Sequence, residues 1–387
     1  MKILRNNFIL IGLSEFFAKG LSWLSLAIIP FFTPPEIYGE IVLFYSIIIF
    51  FMPIYLFGQD RLILKNNPEE EVTNSVVFSI LIGLFLGLFF YFSDYFLASF
   101  AGLMLAFNKI YLTYFRANES LKSYVLNRIS YSIFRFLFVV FTVYFFYSLN
   151  NYIFSEIFAV FFATIGLFVI CFKSKWKVSF NFFDRLKHGF PLMLHGISLF
   201  GIALVDRFIL ERFTNYETVG NYSFIYIFAS GLIFLYSIVG VINEKKIYKS
   251  IFLKDLLLNI KSTLVFMFLL GLVGSILSMI LYLVLFNFEF VANYDFMLTE
   301  LIVLLLAHLV LPFYLVSNYF LIQQGRSYLL LLCSFFALMI NIILNIILIP
   351  RFGLQGAVYS TLFSNIILCI AVLFISYMVF QACKRDI

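Results

Sequence analysis

The sequence predicts an all-α polytopic membrane protein, with about twelve transmembrane helices in two parallel six-helix lobes. Three observations predict it: a composition too apolar for water, basic residues that alternate between loops, and a motif repeated halfway along the chain. Of 387 residues, 63% are hydrophobic and 12% charged, and the mean hydropathy is +1.04. A soluble domain carries about a quarter charged residues and hides its apolar groups in a core whose size its surface limits. Here the bilayer must act as solvent. The apolar stretches reach the roughly 20 residues that a helix needs to span the hydrocarbon, and they do not alternate as barrel strands do. Backbone groups in lipid have to be satisfied within their own segment, which leaves helices.

The spans are read as 8–31, 40–58, 74–92, 95–115, 129–148 and 152–172, then 190–210, 220–243, 263–287, 300–322, 328–349 and 354–380. The first carries Glu15 and Lys19, is too long for a signal-peptide core and lacks a small-residue cleavage site, so it is read as retained. Pro30 and Pro350 are expected to close spans, Pro34 and Pro35 to precede the second, Pro191 to open the seventh and Pro68 to lie in a loop. Pro53 and Pro312 fall inside spans, and kinks are expected there. The four cysteines, Cys171, Cys333, Cys369 and Cys383, have no paired spacing, so neither disulfides nor a metal cluster is expected.

With the N-terminus inside, all but Lys19, Arg207, Arg212 and Arg351 of the 26 basic residues fall on or near the cytoplasmic side. That is the asymmetry that orients short loops. It implies cytoplasmic N- and C-termini, and it explains the net charge of +6 as a topology signal plus attraction to anionic lipid rather than nucleic-acid binding. The segment 244–262 interleaves five lysines with Ile, Leu and Phe and reads as an amphipathic helix on the inner leaflet. The chain also echoes itself. Thr33, Glu36, Gly39 and Tyr45 recur as Thr214, Glu217, Gly220 and Tyr226 at a constant offset of 181 residues. A second echo joins Tyr114-Phe115 and Lys122-Ser123-Tyr124 to Tyr319-Phe320 and Arg326-Ser327-Tyr328, with one gap. The expected organisation is therefore an N-terminal lobe over 1–172, a cytoplasmic linker over 173–189 and a C-terminal lobe over 190–387. Such repeats are a hallmark of carriers whose substrate site lies between the lobes.

No Gly-rich phosphate loop, metal-ligand spacing or nucleophile elbow occurs, and the external segments are short, so no catalytic residue is assigned. Ionisable groups inside spans become the functional candidates. At about 100° per residue, Ser14, Glu15, Lys19, Ser22 and Ser25 share a sector of about 140° on the first span, a polar stripe for the interior or a water-filled cavity. Its alternative reading is an i, i+4 ion pair that lets a charged helix insert. Arg135 lies about two turns into the fifth span, whereas Arg128 reads as an interfacial snorkelling residue. On the seventh span are His195 and the adjacent Asp206 and Arg207, which point in different directions on a helix and so each need a partner. These two are read as either a gate or a charge pair at the helix end. His308 reads as a satisfied interior histidine, and Asn341, Asn345, Ser360 and Ser364 as groups that join helices.

The run Asp206-Arg-Phe-Ile-Leu-Glu-Arg-Phe-Thr-Asn-Tyr-Glu-Thr-Val-Gly220-Asn-Tyr-Ser resembles the seventh-to-eighth-span signature of polysaccharide transporter flippases. Pro34-Pro-Glu-Ile-Tyr-Gly39 and Ile349-Pro-Arg-Phe-Gly-Leu-Gln-Gly-Ala357 resemble its counterparts after the first and eleventh spans. The resemblance, over essentially the whole chain, is to the Wzx-type O-antigen repeat-unit flippases of the multidrug/oligosaccharidyl-lipid/polysaccharide (MOP) exporter superfamily, with its MATE-like fold. It implies a multi-pass protein of the bacterial inner membrane that moves an undecaprenyl-diphosphate-linked oligosaccharide from inner to outer leaflet. Turnover would be by alternating access, with no cofactor beyond an H+ or Na+ gradient. A polysaccharide polymerase and a chain-length regulator are the implied protein partners, beside membrane lipids. An anionic diphosphate crossing a low-dielectric region calls for cations. Lys19 and Arg135 are the first candidates to bind it, with His195 and Arg207 behind them, and Glu15 or Asp206 would carry the coupling ion. A multidrug exporter of the same superfamily, a lipid II flippase, and an O-antigen polymerase or ligase are the rival readings.

Overall fold

The protein is described by a computed structural model covering residues 2–93, 95–173, 178–179, 181–248, 250 and 253–385. Lys175, Lys177 and Lys249 of the expected basic flanks lie outside the described residues, as do the side chains of Lys2, Arg5, Lys65, Lys245, Lys246 and Cys383. Among the described residues all regular structure is helical. The helices are α1 (Lys2–Ala27), α2 (Pro35–Leu56), α3 (Gln59–Lys65), α4 (Pro68–Phe90), α5 (Phe96–Ala117), α6 (Leu121–Phe145), α7 (Leu149–Lys173), α8 (Phe182–Phe213), α9 (Tyr216–Tyr248), α10 (Leu253–Asn287), α11 (Leu298–Leu309), α12 (Leu311–Gln323), α13 (Ser327–Phe352) and α14 (Leu354–Arg385). Twelve spans are long and apolar enough to cross a membrane. The short α3 is extra, and α11 with α12 makes one span.

Local chemistry sets the ends. Asn67 accepts the Glu69 amide at 3.2 Å, Pro68 occupies the first helical position, and Glu69, Glu70 and Glu71 fill the first turn of α4. Cap, ring and acids all suit the positive end of a helix dipole. Asn215 caps α9 through the Thr218 amide at 2.9 Å. Gly325, at φ +69°, ends α12 in the left-handed conformation while the Arg326 amide reaches back to the Leu321 carbonyl at 2.8 Å. Pro312 lacks an amide and breaks the tenth span at Val310, whereas α2 continues unbroken through Pro53.

Several sequence readings are corrected. Phe182 to Gly189, assigned to the linker, forms the first turns of α8, so Pro191 lies inside that helix rather than opening it. The cause is an anchor: Arg185 is buried and its guanidinium bonds the Gln59 amide oxygen and the Glu71 carboxylate. The stretch expected to lie on the leaflet instead ends α9 and begins α10, because both helices overrun their apolar segments. Pro68 and Pro350 belong to α4 and α13.

The chain forms two compact units, Met1–Thr33 with Glu40–Phe200, and Pro34–Gly39 with Gly201–Ile387. The division therefore runs through α8. In the first unit α1 packs on α6, α6 on α7, and α5 on α4 and α7. In the second, α13 packs on α14, α10 on α9, and α11 on α9 and α14. Large apolar side chains line the outer faces, such as Leu84, Phe85, Leu88 and Phe89 on α4 and Leu269, Val273, Ile276 and Ile280 on α10. In lipid these cost nothing, and the interior carries the polar groups instead. Cys171, Cys333 and Cys369 are buried and stand outside any disulfide among the described residues.

Within the second unit two echoed glycines meet. A Cβ on Gly39 would lie 1.9 Å from the Tyr216 carbonyl oxygen, and one on Gly220 would lie 1.8 Å from that of Pro35. The first turns of α2 and α9 thus cross backbone to backbone, which only glycine permits. We expect Gly39→Ala and Gly220→Ala each to cost about 3 kcal/mol, lowering the melting temperature of detergent-purified protein by several degrees. Gly87→Ala, at a helical site with nothing within 4 Å, should hold or raise it.

Candidate functional site

Three clusters of charged side chains form inside the spans. In the first, α1 presents Glu15 to α6. Lys19 Nζ lies 3.3 Å from one carboxylate oxygen, Arg128 Nε lies 3.0 Å from the other, and Tyr124 donates to the same carboxylate at 2.6 Å. Glu15 is buried, while the Lys19 and Arg128 side chains keep 27% and 23% exposure. Two cations on one acid leave a net positive charge that is still accessible. The polar stripe of α1 therefore faces α6. Arg128, read as a snorkelling residue, is instead a member of this cluster, because its guanidinium finds an acid on the neighbouring helix.

One and a half to two turns further along α6, Arg135 forms the second cluster and is 2% exposed. Its Nε donates to both oxygens of Glu156 on α7, at 2.8 and 3.0 Å, and Nη1 donates to the Ser22 carbonyl of α1 at 2.8 Å. The guanidinium lies 4.7 Å from the centroid of the Tyr45 ring, and Tyr152 donates to Glu156 at 3.1 Å. Nη2 is buried and has no partner. A cation at an apolar depth gains from a carboxylate, a backbone carbonyl and an aromatic face together.

The third cluster lies in the second unit. Asp206 and Arg207 do bond each other, which corrects the reading of two separately directed side chains. The long Arg207 side chain folds back along its own helix, so Nη1 reaches Asp206 at 3.3 Å and the Ala203 carbonyl at 2.7 Å. Each also has partners elsewhere. Asp206 accepts hydrogen bonds from the Tyr222 hydroxyl and, at 3.4 Å, from Thr361 on α14. Arg207 lies 4.5 Å from the centroid of the Tyr226 ring, and its Nε is buried without a partner. His308 is buried against Tyr226, with Nδ1 2.7 Å from the Leu304 carbonyl. Asn341 on α13 donates to Ser364 on α14 at 3.0 Å, and Ser364 to the Ser360 carbonyl.

Of the residues singled out in the sequence, Glu15 meets Lys19 and Asp206 meets Arg207. Arg135 stands in its own cluster, and Arg207 belongs to the other unit. His195 is half-buried on α8 in the first unit, within reach of the Arg61 charge. Sequence reasoning missed Glu156, Tyr124, Tyr152 and Thr361. Glu156 was findable, since it is an acid one turn inside an apolar span.

Comparison with known proteins follows from this geometry. The sequence pattern of a family described as "Polysaccharide biosynthesis protein" matches residues 4–242, more than half of the chain. The chain belongs to that family. The matched stretch holds every carboxylate, lysine and arginine of the three clusters. A search of curated proteins gives no match. Among solved structures, an inward-facing multidrug resistance MATE family transporter of the MOP superfamily superposes with a TM-score of 0.76 at 13% identity, covering 94% of this chain and 95% of that one. An outward-facing structure of a transporter so described superposes at 0.66 and 12%, covering 98% and 96%. A MOP superfamily transporter from Pyrococcus furiosus, described as having a binding pocket of reverse polarity, superposes at 0.66 and 13%, also covering 98% and 96%. The fold of this polysaccharide biosynthesis family member is therefore that of the MATE-like MOP transporters.

Removing one partner of a buried ion pair strands the other and costs about 3–5 kcal/mol, whereas replacing both with apolar groups is near neutral. Glu156→Gln and Arg135→Ala should each lower the thermal midpoint in detergent sharply, and Arg135→Met with Glu156→Leu should recover most of it. Arg135→Lys should fail to rescue, because a point charge cannot span Glu156, Ser22 and the Tyr45 face at once.

Proposed function

We propose that this protein is a flippase that carries undecaprenyl-diphosphate-linked oligosaccharide repeat units from the inner to the outer leaflet of a bacterial inner membrane, with both termini cytoplasmic. The observation that carries the reading is the α1–α6 cluster, where Lys19 and Arg128 share one carboxylate and leave a net positive charge at partial exposure. Family membership supports a polysaccharide precursor as the cargo, and a lipid carrier is the form in which it would cross. Its diphosphate is the part that apolar surroundings oppose most, and cations that still reach water offset that cost. Lys19 is the group placed to meet the diphosphate, with Arg128 beside it. Arg135 and Arg207 each retain a buried nitrogen without a partner in a neutral pair and serve as supporting sites, with His195 on α8 behind them.

The basic residues that flank the spans, such as Arg61, Arg116 and Lys122, support cytoplasmic termini. Glu15 and Asp206 are the candidate carriers of a coupling proton or cation. Each carboxylate touches a cation, so neutralising it would free that cation for an anion. In this way uptake of the ion and binding of the diphosphate become linked.

Lys19→Ala should abolish complementation of O-antigen or capsule in a null strain while the protein accumulates normally in the membrane, and Lys19→Arg should retain most of it. The null strain should accumulate single lipid-linked units accessible only from the cytoplasmic side. Normal polysaccharide in the Lys19→Ala strain would sink the role of Lys19. Accumulation on the outer leaflet would replace the flippase with a polymerase.

A further inference from the structure

A further cationic feature of the first unit belongs to none of the three clusters. α3 and the early turns of α8 enclose a cavity of about 240 Å³ lined by Gly58, Arg61, Leu62, His188, Gly189 and Leu192. That is below the roughly 300 Å³ at which pockets for drug-sized ligands begin, so it fits a headgroup rather than a whole amphiphile. Its wall is built on tight backbone. Phe57 and Gly58 both take positive φ, +45° and +73°, and a Cβ on Gly58 would lie 2.8 Å from the Leu192 side chain. A Cβ on Gly189 would lie 2.2 Å from the Phe57 carbonyl oxygen. Left-handed backbone at a residue as bulky as phenylalanine is uncommon and gathers at ligand sites. The wall is also held rigid, because buried Arg185 ties α8 to Gln59 of α3 and to Glu71 of α4.

Both polar side chains that line the cavity are basic. Arg61 and His188 line the cavity with no acid among the lining residues. Among the described residues neither side chain has a hydrogen-bond or ion-pair partner, unlike Arg128, Arg135, Arg185 and Arg207, each of which has an acid. An unpaired guanidinium offers a fork of N–H donors that matches phosphoryl oxygens, and an imidazole adds a single donor from the facing helix. The short α3, which sets Arg61 at this angle, lies just beyond the second span. Under the topology proposed above it faces the cytoplasm, the side where a lipid-linked precursor is assembled.

We infer that this cavity is a loading site for the diphosphate group of the isoprenoid-linked substrate, gripped by Arg61 and His188 before it moves inward. The inference rests on the flippase reading, and its test separates the two. Full-length protein in nanodiscs of neutral lipid would be titrated with geranylgeranyl diphosphate, with inorganic pyrophosphate, and again in nanodiscs containing phosphatidylglycerol. Arg61→Ala should weaken binding of the prenyl diphosphate about 10- to 100-fold, the range for losing a charge-assisted hydrogen-bonding group. Arg61→Lys should lose less, His188→Ala should lose severalfold, and melting temperatures should stay at the wild-type value, since both side chains are exposed. Should Arg61→Ala not fold, His188→Ala and His188→Glu carry the test. Unchanged affinity in folded variants overturns the loading site and leaves the flippase reading intact. A wild-type protein that binds no diphosphate overturns both. Binding of pyrophosphate but not of the prenyl compound, or full competition by phosphatidylglycerol, shows a general anion site and overturns the assignment to the substrate.

Discussion

A carboxylate or guanidinium placed in hydrocarbon has no water to turn to, and this constraint decides how the helices of each unit are arranged. Two unit charges 4 Å apart gain about 4 kcal/mol at an effective dielectric of 20, while stripping each ion of water costs several. The pairs therefore contribute little net stability, but any arrangement that leaves one charge alone is heavily penalised. Register follows from that penalty. Glu15 meets Arg128 only if α1 and α6 lie at one relative height, and Arg135 ties the same two helices again through Ser22 before reaching Glu156 on α7. In the second unit Asp206 gathers Tyr222 and Thr361 in the same way, so α8, α9 and α14 converge on one carboxylate. Ser, Thr and Asn bonds between helices, such as Asn341 to Ser364, add to this frame without its penalty.

The internal repeat is a record of the same constraint. Each echoed residue performs one physical task twice. Thr33 and Thr214 bond the carbonyl four residues back, at 3.0 and 2.6 Å, as the odd-numbered span ends. Glu36 and Glu217 occupy the first turn of the next helix, where an acid suits the dipole. Gly39 and Gly220 clear the backbone crossing. Tyr45 and Tyr226 each turn a ring face to an arginine, yet Arg135 comes from a fifth span and Arg207 from a seventh. The aromatic face is thus common to the two units, while the cation it receives has been supplied from different helices.

This division explains what could be read in advance. Span number and approximate extent follow from length and hydropathy, since a bilayer imposes one scale on every helix, and twelve spans result. The inward face of α1 follows from the helical repeat, because five polar residues share one side. Partner identity does not. Projection pairs Glu15 with Lys19 but does not show that Glu15 also meets Arg128 across 113 residues, and nothing local to Arg135 points to Glu156. The linker was misread for a related reason. Polar composition around 182–189 resembles a loop, but a tertiary anchor at Arg185 makes it helix. Long-range pairing overrode local pattern in each case.

Pairing also ranks the cations for any task that needs an anion. A guanidinium already paired with its own acid has no net charge to offer a diphosphate, so Arg135 and Arg207 are held back by the contacts that make them tolerable in lipid. Lys19 and Arg128 share a single carboxylate, and their side chains keep 27% and 23% exposure. Among the described residues Arg61 forms no ion pair, but it sits beyond the second span, where an unpaired charge costs little. The availability of positive charge therefore falls from the end of the span towards its interior, while the strength of a contact in low dielectric rises along the same line. An anion drawn first by the free charge and then by the stronger field has a direction built into its path, and the first unit supplies both ends of it.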